Sequence, residues 1–342
     1  MRAVMLTGPQ KMEYGDYDMP HDDGHSVIIK VDTCGICGSD IHYWEIGMGM
    51  NGKRNIILGH EFCGTVYLPG SRSDLHAGDR VTALPVDPCG ECYACQIGAH
   101  NICIMANKRN IIGNSVHGAY AEYVRVRPDM VRKLPDAVSN KEGAFIEPAA
   151  VALHAVNLAG VTSSDTVCII GGGPIGILCA IWAKLFDASC VVIVEVDSFR
   201  MSFIASHITV DGVIDCYDTD IRKKLKTISQ GGFTVAIETS ATDTGLYTAL
   251  AALKPRGRMV MAGINFYGQP VPTLSLIAKE ITVLGSMGYS IDEFDDVIEN
   301  MAEKKLALEA LVTHSVSLED VPVVFNNLAQ KSIEAIKVVV QP

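Results

Sequence analysis

The sequence predicts an α/β protein of two domains: a β-rich, loop-rich domain over residues 1–149 and 287–342, and a doubly wound parallel-sheet domain over residues 150–286. Three observations carry this expectation. A chain of 342 residues is long enough for two domains that each bury their own interior. Its texture changes near Pro148, from short apolar runs broken by Gly, Pro and Asp to strand-like runs that alternate with helical periods. Within the second part, an apolar strand, a glycine-rich turn and an apolar helix follow one another from Thr166, as in a parallel sheet with crossover helices.

The elements follow in order. At the N-terminus, Ala3 and Met5 alternate with Val4 and Leu6 like a strand, and no apolar stretch stands behind a basic start, so a signal peptide is not expected. VIIKVDTCGICGSD, LGHEFCGTV and GDRVTALPV continue the β-type texture to Glu147. From there VCIIGG, VVIVEVD, FTVAIETS, GRMVMAGI and ITVLGS read as strands, with IGILCAIWAKLF as a helix. The run Val167 to Phe186 is long and apolar, but GGGP and Lys184 interrupt it. A buried strand, turn and helix explain it better than a membrane span. An amphipathic helix near Glu293 to Lys304 and the strand-like AIKVVVQ close the chain and return to the first domain.

A formal charge of -11 excludes nucleic acid as partner, because phosphate neutralisation needs a basic stripe. Eleven cysteines without an export signal imply reduced thiols and metal ligation in a cytoplasmic protein. Cys89, Cys92, Cys95 and Cys103 form C-x2-C-x2-C-x7-C, a loop able to wrap four thiolates around one zinc and leave no place for substrate. That site is expected to be structural.

A second set is of another kind. CGICGSDIHYWE contains Cys37, Ser39, Asp40 and His42, and LGHEFCGTV contains His60 and Glu61. One thiolate, one imidazole and one carboxylate suit an open zinc shell, in which the metal lowers the pKa of a bound water or alcohol towards about 7. Glu147, in FIEPAAVALHA where the first domain meets the second, is a further carboxylate that would alternate with that water. Cys34 and the remaining cysteines read as small buried hydrophobes. His117 is expected to border a pocket, and His154 to be a satisfied group on a helix.

GGGPIG supplies Gly171, Gly173 and Gly176 with Pro174 and Ile175 between them, opening a helix whose N-terminus would face a pyrophosphate. Glu195 lies about 20 residues on, where a carboxylate holds the ribose hydroxyls of NAD and repels a 2′-phosphate. Asp197 competes for that role, and Arg200 leaves room for a phosphate. Thr239 to Ala241, Gly263 to Ile264 and Ser286 to Met287 fall at strand ends, as cleft-lining candidates.

These motifs, in this order, resemble the medium-chain alcohol dehydrogenase superfamily over essentially the whole chain. CGICGSDIHYWE and FIEPAAVALHA look most like its polyol branch, the sorbitol and xylitol dehydrogenases. The resemblance implies a GroES-like catalytic domain and a Rossmann NAD-binding domain with the active site in the cleft between them. It implies catalytic zinc on Cys37, His60 and Glu61 with Glu147 close to the metal, and structural zinc on the four cysteines. By the same resemblance Ser39 bonds the alkoxide, His42 relays the proton, Asp40 orients His60, and Tyr43 and Tyr289 touch substrate. Gly288 stands where animal sorbitol enzymes carry an arginine, which opens the pocket to other sugar alcohols or diols. Relatives are dimers or tetramers, so a homodimer or homotetramer is expected. Two alternatives stand beside a polyol or diol dehydrogenase: a 2,3-butanediol or L-threonine dehydrogenase with the same machinery, and a catalytically silent NAD-binding sensor.

Overall fold

A computed structural model describes residues 1–105 and 109–342. They form two compact units, Met1–Glu147 with Ser290–Pro342, and Pro148–Tyr289. The junctions thus fall at 147/148 and 289/290, not at 149/150 and 286/287. No loop marks the first junction, because the helix Ile146–Ala159 runs through it. At the second, the Ser290 hydroxyl accepts from the Glu293 N–H while the Glu293 carboxylate accepts from the Ser290 N–H. This reciprocal cap starts the helix Ile291–Ala302, two residues ahead of the expected Glu293.

The first unit is β-rich. Six strands of its main sheet lie in the order Val312–Ser317, Lys337–Gln341, Val27–Gly35, Glu61–Leu68, Arg80–Ala83 and Val131–Lys133, and Tyr123–Val126 pairs with Val27–Gly35 as well. A smaller sheet joins Lys11–Asp16, Arg2–Gly8 and Ile56–Ile57. The tail AIKVVVQ returns here as expected: Val339 pairs with Gly35 and Val340 with Cys34. Val338, Val339 and Val340 are buried, and the ladder satisfies their backbone groups. The helix Val321–Ala329, which carries no motif, was not expected; its Phe325 is buried against Tyr120.

The second unit holds six parallel strands in the order Gly212–Asp215, Cys190–Glu195, Thr166–Ile170, Phe233–Glu238, Leu253–Met261 and Thr282–Gly285. Numbered by sequence this is 3-2-1-4-5-6, the doubly wound Rossmann order, whose direction reverses beside Thr166–Ile170. Val167, Ile169, Val192, Ile193, Val235 and Ile237 are all fully buried. Covering on both faces explains why these strands read as continuous apolar runs rather than alternating ones. The apolar run questioned above is the strand Thr166–Ile170, a glycine turn and the helix Pro174–Leu185. No helix of the described residues is long and apolar enough to cross a membrane.

Candidate active site and metal centres

The strand Val27–Gly35 ends one turn before Cys37, which caps the helix Gly38–Ile46 and so faces its partial positive end. The neighbouring strand pairs Glu61 with Gly35 and Phe62 with Cys34. This register brings His60 and Glu61 to the Cys37 turn. One ligand atom from each of Cys37, His60 and Glu61 lies within 4.8 Å of the others.

His60 and Glu61 are buried, 7% and 1% exposed, so their polarity has to be balanced locally. Asp40, fully buried, stands 3.3 Å from His60 Nδ1 through Oδ1. That pair is close but not aligned as a hydrogen bond. The other Asp40 oxygen accepts the Cys37 N–H at 3.2 Å and the Tyr120 hydroxyl at 2.6 Å. Burial opposes a charge on Asp40, yet the nearby His60, the Tyr120 hydroxyl and the Cys37 N–H outweigh it and hold its carboxyl below the usual range. On His60 burial again disfavours the charge, and the Asp40 carboxylate with the neighbouring Cys37 sulfur overcomes it, leaving the imidazole well above its ordinary pKa. Such an anionic, partly unaligned set around one imidazole fits a divalent cation, and its donors are those of an open zinc site.

Ser39 and His42, three apart on the helix Gly38–Ile46, share a face and are partly buried. Burial raises the Tyr43 phenol, against the pull of His60, which places this tyrosine within electrostatic reach of the same cluster. Glu147 opens the helix Ile146–Ala159 and supports the charge of Lys337, but stands outside the close trio. Tyr289 is buried and belongs to the second unit, after the strand Thr282–Gly285. Gly288 before it has φ 56°, a left-handed backbone that an arginine adopts only with strain. His117 borders a cavity of about 500 Å³ whose lining excludes Cys37, His60 and Glu61, and its Nδ1 accepts the Ile57 N–H.

The sulfurs of Cys89, Cys92, Cys95 and Cys103 also lie within 4.8 Å of one another. Cys89 to Cys95 and Cys92 to Cys103 are each 3.9 Å apart. Four thiolates at about 2.3 Å from one tetrahedral zinc would be about 3.8 Å apart, so the loop fits that ion without rearrangement. The Cys95 N–H and other backbone donors bring the Cys92 thiol down to about 6, whereas burial pushes Cys95 up to about 12. Asp87 anchors the loop: buried, it accepts from Arg109 at 2.9 Å, from the Asn110 N–H at 3.1 Å and from Arg127.

In the second unit Gly171, at φ 103°, turns the chain out of the strand, and an added Cβ at Gly176 would stand 1.8 Å from Gly171 O. Only glycine lets the helix, begun by Pro174 and Ile175, pack onto its own turn. At Gly173 the space is open apart from Arg200 Nη1 at 3.7 Å, as a backbone approached by a pyrophosphate requires. Glu195 departs from the simple expectation of a carboxylate displayed to a ribose. It is buried, with Oε2 accepting the Gly172 N–H at 2.6 Å and Oε1 accepting those of Val196 at 2.6 Å and Asp197 at 3.0 Å. Asp197 is the exposed acid and caps the helix Ser198–His207. Gly263 and Ser286 follow the strands Leu253–Met261 and Thr282–Gly285, on the C-terminal edge of the sheet, and the buried Ser286 hydroxyl has no hydrogen-bond partner among the described residues. Glu238, missed in the sequence, is fully buried at the same edge and accepts the Ser240 and Ala241 N–H groups.

Comparison with known proteins adds two family models, an alcohol dehydrogenase GroES-like domain over residues 23–136 and a zinc-binding dehydrogenase over residues 174–303. A probable D-xylulose reductase A of Aspergillus terreus is 31% identical, over 98% of this chain and 97% of its own. The sorbitol dehydrogenase of Bacillus subtilis is 30% identical, over 100% and 97%. Among solved structures, the 2R,3R-butanediol dehydrogenase of Bacillus subtilis has a TM-score of 0.88 at 28% identity, over 100% of this chain and 99% of that one.

Proposed function

Because the chain belongs to the zinc-binding alcohol dehydrogenase family, we propose that it oxidises a secondary hydroxyl of a polyol or diol to a ketone with NAD. The observation that carries this reading is the open trio of Cys37, His60 and Glu61 in a chain that also holds a closed four-thiol set and a dinucleotide turn. When bound, zinc supplies a Lewis acid to the substrate hydroxyl and NAD accepts the hydride. Cys37, His60 and Glu61 hold the metal, Asp40 orients His60, and Glu147 is the carboxylate kept near it. Ser39 bonds the substrate oxygen, and His42 on the same helix face carries the proton away, so proton and hydride leave by different routes. Tyr43 and Tyr289 contact the substrate. Gly171, Gly173, Pro174, Ile175 and Gly176 cradle the pyrophosphate, with Gly263 and Ser286 along the same edge. Glu195, braced by three backbone N–H groups, keeps negative charge where a 2′-phosphate would lie, which favours NAD; Arg200 at 3.9 Å tempers that preference.

Thiolate ligands at two sites suit the reducing cytoplasm. A homodimer or homotetramer is supported by the edge strand Thr282–Gly285, whose Val283 is exposed, and by exposed Leu274 and Ile277 in the preceding helix; unpaired edges of this kind pair readily with a second copy.

The deciding experiment follows NADH absorbance across sugar alcohols, short diols and threonine. Turnover of at least one polyol or diol is expected. The glycine at 288 favours short diols as a second reading, and threonine as sole substrate would replace both. A fully zinc-loaded protein that oxidises none of them would favour the silent NAD-binding alternative.

A further inference from the structure

The ion pair between Glu61 and Lys337 plays no part in the reaction described above. Both side chains are buried, at 1% and 2% exposure. Glu61 begins the strand Glu61–Leu68 and Lys337 begins the strand Lys337–Gln341, with Val27–Gly35 between them in the sheet. The lysine crosses that central strand at Gly35, where an added Cβ would stand 2.2 Å from Glu61 Oε2 and 2.8 Å from Lys337 Cε. Glycine leaves the passage open. Beyond it the ammonium meets Glu61 Oε2 and donates to Ile36 O at 3.0 Å. One cation therefore grips both the carboxylate and the backbone next to Cys37.

A carboxylate carries a single negative charge, and an ammonium and a dication sharing it repel each other in a poorly screened interior. With the lysine charge removed, Glu61 would be a buried anion short of a partner, and the metal would neutralise it more completely. We propose that Lys337 is a positioning residue that competes with the metal for the Glu61 carboxylate, loosening the metal's hold on this one ligand. The proposal rests on the zinc reading of Cys37, His60 and Glu61. Its consequence is a metal whose charge is less neutralised by its ligands, and so more strongly polarising toward the substrate hydroxyl. A lysine that merely braced the fold would act with the opposite sign, since deleting a brace loosens a metal site.

Metal release from the purified holoenzyme to a colorimetric chelator separates the two. The four-cysteine zinc serves as internal reference, and Cys37→Ala identifies the release phase of the other site. Lys337→Met is expected to slow that phase about 10-fold, leave the reference phase unchanged and lower kcat about 10-fold with a smaller change in KM. Lys337→Arg keeps the charge and restores both. Lys337→Gln, which keeps a donor for Ile36 O without the charge, is read in the same way if Lys337→Met does not fold. Adding Glu61→Gln to either neutral variant should abolish the slow release. Unchanged or faster release in the neutral variants overturns the proposal, as does an unchanged kcat. A wild-type zinc content that Cys37→Ala leaves intact overturns instead the metal reading on which the proposal rests.

Discussion

The two proposed metal centres of the first unit are built in opposite ways. The four cysteines lie within one loop, Cys89 to Cys103, and their geometry needs little beyond that loop and the Asp87 anchor with Arg109 and Arg127. The trio is assembled from two strands and a helix N-terminus, and is balanced by Asp40, Tyr120 and a lysine 276 residues from Glu61 in sequence. Four thiolates would close the shell of a metal at the first, whereas three mixed donors would leave one open at the second. A closed local site stabilises a loop; an open, buried and long-range one places charge where chemistry needs it. The difference predicts that damage to one is felt as stability and damage to the other as rate.

The strongest test of that division is His60→Ala. It is expected to lower kcat/KM by about 1000-fold or more and to remove about one zinc per chain, with a smaller change in melting temperature. Cys92→Ser should do the reverse: calorimetry should show a melting temperature lower by about 10 °C or more, while the protein that remains folded keeps most of its kcat. Equal thermal destabilisation by both would break the comparison.

Two smaller effects sharpen it. Tyr120→Phe removes the hydroxyl that holds Asp40 Oδ2 at 2.6 Å. A loss of about 5 to 10-fold in kcat/KM is expected, with metal retained at the four-cysteine site; a loss of zinc from both sites would make Tyr120 a general core residue instead. At the other centre, Asp87→Asn should cost about 1 to 2 kcal/mol at neutral pH. Burial disfavours the Asp87 charge, but the Asn110 N–H, Arg127 and Arg109 overcome it and lower its pKa. The stability it adds is therefore present above the unfolded value of about 3.9 and is lost as pH falls through the lower folded value. Denaturation curves of wild type and variant should diverge near pH 7 and converge in strong acid; a constant gap would mean that the carboxylate charge is not what anchors the loop.

Much of this molecule is legible without coordinates. Val167 to Ile170, Val191 to Val194 and Val235 to Ile237 announce buried parallel strands because both faces of such a sheet are covered. Ser290 with Glu293 is a capping pair displayed in the sequence itself, a Ser-x-x-Glu at the head of an amphipathic run. Lys337 left a fainter signal, a lone lysine in the apolar tail AIKVVVQ. Tyr120 left none, since nothing local distinguishes a tyrosine whose hydroxyl meets a carboxylate 80 residues away.

The sequence alone determined the family-bearing motifs, the four-thiolate loop, the glycine turn and the two-part architecture, because each depends on spacing within one short segment or on a repeating pattern. Tertiary structure decided how Asp40 divides its oxygens, that Glu195 is bound to the Gly172 N–H, that Gly288 is left-handed, and that Lys337 reaches Glu61 past Gly35. These depend on strand register and on which buried charge finds which partner, and both are settled only when distant segments pack.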